Sequence, residues 1–199
     1  MAEKLVIDIW KKKDGEEFTK ALAEADSRLE LGSAAALTAA SAAALAERAA
    51  SFGEKNERSE YLQRNIEIIR GYMVHLIDED VKSRGPLRQA MKEGETLKIE
   101  AARETAVCIP AEIINMTAQL MDFLAELTEL CPAEKLSYLG EAAYLAMGAA
   151  ESCRVYILHL AAQSRDDTYR FVTRRENEIT FEKLHGVFES IVKKVEAAI

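Results

Sequence analysis

The stretch LQRNIEIIRGYMVHL, residues 62–76, decides the fold. Leu62, Ile66, Ile69, Met73 and Leu76 recur after four, three, four and three positions. That is the stripe of a helix laid against a core, whereas a half-buried strand alternates every second residue. Working outward, the segment upstream is richer in alanine than in bulk. Ser33 is placed to cap a helix over Ala34–Phe52 that Gly53 closes, and eleven of the seventeen residues from Ala34 to Ala50 are alanine. Such a helix has little side chain to bury, so it is expected at a close backbone approach, inside the bundle or against a second subunit. Before it, Asp14 and Glu17 form a capping-box-like pair for a first helix that ends near Asp26, with Phe18, Ala21, Leu22 and Ala25 on one face.

Downstream, Gly85-Pro86 ends or kinks the deciding helix. Leu97–Leu130 reads as one long helix carrying Ile113, Met116, Leu120, Phe123 and Leu127, bent near Ala106 because Pro110 offers no amide. Pro132 starts a helix to about Gln163 that is again lined with small residues. Asp166 or Asp167 caps a further segment, and Thr180 opens a last amphipathic helix through Phe181, Leu184, Phe188, Ile191 and Val195. No strand pattern, repeat or linker interrupts the series. The expectation is an all-α, single-domain bundle of long helices over residues 1–199.

The chain is 49% hydrophobic and 30% charged, enough to bury an ordinary core, and its aromatics, at 7%, suit closely packed helices. A net charge of −8 opposes a large phosphate-binding surface, and Lys11–Lys13 is too short to reverse it, so nucleic acid is not an expected partner. Leu5–Trp10 is too short for a signal peptide, and Ala34–Ala46 falls short of a bilayer span. A cytoplasmic protein with no membrane partner is expected. Cys108, Cys131 and Cys153 lack CxxC spacing and read as reduced core residues.

Few residues announce chemistry. There is no GxGxxG, no phosphate-loop GK[ST] and no HExxH. His75 and Glu79 stand one turn apart, but two ligands are too few, and no metal site is expected. His159 lies in an apolar run and reads as an interior histidine. The acidic cluster Asp78-Glu79-Asp80 follows directly on the apolar stripe. A carboxylate there is either a solvated charge or, if burial raises its pKa, a general acid or base.

In order and spacing, Phe18 and Leu22, then Gly32-Ser33-Ala34-Ala35-Ala36-Leu37, Leu76-Ile77-Asp78-Glu79-Asp80, Ala106-Val107-Cys108-Ile109-Pro110 and the Ser137–Asp166 stretch resemble the cyclodeaminase and methenyltetrahydrofolate cyclohydrolase family. The likeness spans nearly the whole chain. It implies an all-helical homodimer acting on 5-formimino- or 5,10-methenyltetrahydrofolate through a proton relay, with no metal or organic cofactor. Carried over residue by residue, it implies Asp80 as the proton-handling group and Gly32, Ser33 and Asp166 on the substrate site, with Tyr138, Tyr156 and His159 lining it as replacements for family residues.

The sequence departs from the family at polar positions. Where the family has a proline, three glycines and a serine, this chain has Leu29-Glu30-Leu31-Gly32-Ser33. A Ser-Asp pair becomes Ser137-Tyr138, and an Asn-Val-x-Ile-Asn segment becomes Tyr156-Ile157-Leu158-His159-Leu160. Each lost hydrogen-bonding partner removes about 1–3 kcal/mol from a polar site. Three readings follow: a folate enzyme with a reshaped pocket, a homodimeric scaffold or binding module whose catalysis has lapsed, and an enzyme whose changed substrate is read by Arg154 or Tyr156.

Overall fold

A computed structural model describes residues 9–198. Among them run eight α-helices: α1 (Gly15–Ala23), α2 (Leu31–Ala50), α3 (Glu57–Ser83), α4 (Gly85–Glu93), α5 (Thr96–Ala106), α6 (Cys108–Leu130), α7 (Leu136–Ala162) and α8 (Asp167–Ala197). Single 3-10 turns, Trp10–Lys12 and Ala133–Lys135, precede α1 and α7. The described residues contain no strand, as the periodicity requires.

The alanine helix α2 lies at the centre, packed most extensively on α7 and α3. Ala36, Ala39, Ala42, Ala43 and Ala46 of α2, and Ala142, Ala143, Ala146 and Ala150 of α7, are completely buried. Methyl against methyl lets the two backbones come closer than leucines would allow. Side-chain pairs fix the directions. Arg70 of α3 holds Glu47 near the end of α2, while Asp80 at the end of α3 meets Ser33 at the start of α2, so α2 and α3 are antiparallel. Arg48 lies over the ring of Tyr138 at the start of α7, so α2 and α7 are antiparallel too. α6 closes a second layer with α8: Leu120, Met121, Leu124 and Leu127 are buried together with Leu184 and Ile191. The stripe Leu62, Ile66, Ile69, Met73, Leu76 is buried throughout.

Four local expectations are corrected. α1 stops at Ala23, short of Asp26, its Asp14 cap accepting from the Glu17 amide as predicted. α2 starts two residues before Ser33, which sits inside its first turn with its side chain turned to α3. The Leu97–Leu130 run is two helices, broken at Val107, rather than one bent helix. Pro110, third residue of α6, has no amide to give the Ala106 carbonyl, so α5 ends there. Beyond Asp166 there is one continuous helix; Thr180 is interior to α8.

The run Thr96–Leu130 is long and apolar enough to pass a length-and-composition test for a membrane span. Of its apolar side chains, Ile113, Leu120, Leu124 and Leu127 are buried against the other helices, while Leu97 is 86% exposed.

Candidate functional site

The three acidic residues that end the deciding stripe have separate fates. Asp78 accepts the backbone amide of Trp10 at 2.8 Å and so ties the first described turn to α3. Glu79 points outward to Lys82 at 2.6 Å, with His75 3.7 Å away, and the Lys82 hydrogen bond and charge hold its carboxyl below the usual range. Asp80 is turned inward and is wholly buried.

Asp80 meets the first turn of α2. Its Oδ2 accepts the Ser33 amide at 2.9 Å and lies 3.1 Å from the Ser33 hydroxyl, which also reaches the Ile77 carbonyl at 3.0 Å. Its Oδ1 accepts Nε of Arg84, one turn on, at 3.1 Å. The carboxylate therefore caps α2 from another helix, a placement the positive end of the α2 dipole favours. Gly32 makes the approach feasible: a Cβ on it would lie 2.1 Å from Oδ1, inside any contact distance.

The electrostatics are dominated by burial. Desolvation pushes the Asp80 carboxyl up from 3.8 to about 6, against the pull of the Ser33 hydroxyl and amide and the charge of Arg88. Burial likewise lowers Arg84, which is 2% exposed. The Arg84 guanidinium lies 3.9 Å from the centre of the Tyr156 ring, and Tyr156 is itself raised by burial. Cys153, one turn before Tyr156 on the same face of α7, is pushed up to about 12, by burial first and by the negative charge of Asp80 second.

A second carboxylate forms the outer wall. Glu30, immediately before α2, pairs with Nη1 of Arg84 through one carboxylate oxygen and with Nη1 of Arg88 at 3.1 Å through the other. Arg88 also donates to the Val81 carbonyl at 3.0 Å. In the sequence Glu30 stands out only as a departure from a glycine turn, and Arg84 and Arg88 belong to no motif. The available signal was Asp80 and Arg84 at i, i+4 just before Gly85-Pro86, where a helix end carries side chains across to a neighbour.

The structure brings together Gly32, Ser33, Asp80 and Tyr156 of the expected residues and separates the rest. Tyr138 packs on Phe52, with ring centres 5.6 Å apart, and under Arg48, roughly 22 Å along α2 from Ser33 at about 1.5 Å per residue. His159 is exposed and lies 2.7 Å from the Gln163 side chain, which corrects its reading as an interior residue. Asp166 caps α8, accepting the amides of Thr168 and Tyr169 at 2.8 and 3.0 Å. Arg154 pairs with Glu151 and lies over the Phe181 ring. Of the cysteines only Cys153 is buried; Cys108 is exposed and Cys131 half-buried, and all three are free thiols. Among the described residues no cluster of three or more His, Cys, Asp or Glu gathers as a metal site would.

Fold and site together define an all-α bundle in which a buried carboxylate is pinned at the start of a small-residue helix. The formiminotransferase-cyclodeaminase family model matches residues 15–178, and the chain belongs to that family. The fold matches a solved structure of formiminotetrahydrofolate cyclodeaminase from Thermotoga maritima at a TM-score of 0.86 and 23% identity, covering 94% of this chain and 98% of that one. A search of curated protein sequences gives no match.

Proposed function

We propose that this family member acts in folate one-carbon metabolism on 5-formimino- or 5,10-methenyltetrahydrofolate, with Asp80 as its proton-handling group and no metal or organic cofactor. Family membership supports the substrate class. The observation that carries the chemistry is Asp80: a buried carboxyl brought to about 6 can both give and take a proton near neutrality. The proposal includes a cytoplasmic homodimer. Tyr138 and Asp80 lie at opposite ends of α2, so a pocket using both needs the Tyr138 end of a second copy beside the Asp80 end of the first.

One observation favours the second reading, a catalytically lapsed scaffold. Asp80 has no exposed surface, and both of its oxygens are engaged by Ser33 and Arg84. On that reading Asp80 only joins α2 to α3.

The two are separated by following the near-ultraviolet absorbance of 5,10-methenyltetrahydrofolate with wild-type protein, with Asp80→Asn and with a buffer blank. Turnover predicts loss above the blank that falls at least 100-fold in the variant. Loss equal to the blank, with no heat of binding, would establish the scaffold.

A further inference from the structure

The pairing of Glu30 is unusual in its asymmetry. Two guanidinium groups, from Arg84 and Arg88, close on the two oxygens of one carboxylate. The arginines are fixed from behind: Arg84 by Asp80 and the Tyr156 ring, Arg88 by the Val81 carbonyl. Glu30 is not fixed. It occupies the N-cap position of α2 but makes no side-chain cap, and its side chain is 36% exposed. Donors remain in excess around it. Nη2 of Arg84 is buried with no acceptor, and among the described residues the Leu31 and Gly32 amides of the first α2 turn are given none. An oxyanion approached by two guanidinium groups beside a helix N-terminus is an arrangement proteins use to bind carboxylate or phosphate groups.

The geometry points to an oxyanion site formed by Arg84, Arg88 and the first turn of α2, occupied by the chain's own Glu30 and opened when Glu30 swings into solvent. The ligand chemistry is a single carboxylate or phosphate group. Glu30 thus acts as an internal competitor, and the site binds external anions weakly until that side chain is removed. The inference goes beyond the folate reading and does not depend on it: the probes below are simple anions, so failure here leaves the folate assay standing, and the reverse.

The test is calorimetric titration of the full chain with acetate and, separately, inorganic phosphate. Wild-type protein should bind neither below about 10 mM. Glu30→Gln should bind at least one of them with one site per chain and at least tenfold more tightly than wild type. Arg88→Gln in the Glu30→Gln background should abolish that binding. Preference for acetate over phosphate assigns a carboxylate ligand, and the opposite preference a phosphate-bearing one. Equal weak binding in wild type and Glu30→Gln, or binding unaffected by the added Arg88→Gln, overturns the site. Should Glu30→Gln fold poorly, Glu30→Ala is melted with and without 100 mM acetate or phosphate. A rise in melting temperature several degrees larger than the wild-type response supports the site, and its absence overturns it.

Discussion

Gly32 and Asp80 depend on each other. A methyl group at position 32 would collide with both carboxylate oxygens of a side chain that has nowhere to retreat, since Asp80 is wholly buried. Gly32→Ala should therefore cost about 1–3 kcal/mol in urea unfolding, despite alanine's better helix propensity. In the Asp80→Ala background the same change should be close to neutral, so the two effects should be far from additive. Asp80 also sets a pH dependence. Its folded pKa, about 6, lies above its unfolded value, so the protonated form is favoured by folding. The stability this contributes is complete below about 3.8 and is lost as pH rises through about 6. The carboxyls held low by their neighbours, Glu79, Glu93, Glu100 and Glu126, act with the opposite sign, and only below about 4.5. Wild-type stability should thus fall by roughly 1–1.5 kcal/mol between pH 5 and pH 7.5, and Asp80→Asn should flatten that fall. A slope unchanged in the variant would place the titrating group elsewhere.

At the scale of elements, α2 and α7 show how far sequence can be read. Eleven alanines over Ala34–Ala50 require a close approach of backbones, and α7 answers with its own row of small residues. Ala43→Leu should destabilise the protein by about 1–3 kcal/mol or more, because the extra volume has no void to enter. Near-wild-type stability would mean that the two helices do not approach so closely. The stripe Leu62–Leu76 was legible because its period survives any partner. Helix breaks were less so. Pro110 gave the place of a break correctly, but whether a helix bends or ends depends on how the freed Ala106 carbonyl and the packing of α5 are resolved, which a local pattern does not contain. Thr180 misled for the converse reason: a threonine can begin a helix, yet buried Phe181 and Leu184 carry α8 through it.

For the whole molecule, the site was legible only as pieces. Gly32, Ser33 and Asp80 lie together because two antiparallel helices bring residues 47 positions apart into hydrogen bonding. Tyr138 shares the same central helix but belongs to its other end. The ion pairs of Glu30 with Arg84 and Arg88 span more than fifty residues and had no periodic signature. A homodimer is the assembly that would reunite the two ends. Sedimentation velocity at micromolar concentration should give a species of twice the chain mass, and a monomer there would remove the assembly from the proposal.

Amides in the opening turn of a helix have no partner within it, and as a rule they trade their protons with water long before the interior does. The Ser33 amide is different, because its acceptor belongs to the far end of α3 and is sealed from solvent. Its proton can leave only when α2 and α3 part. A position that would ordinarily fray first is thereby drawn into the slowest-exchanging class, and its deuterium uptake becomes a clock for the opening of the bundle itself.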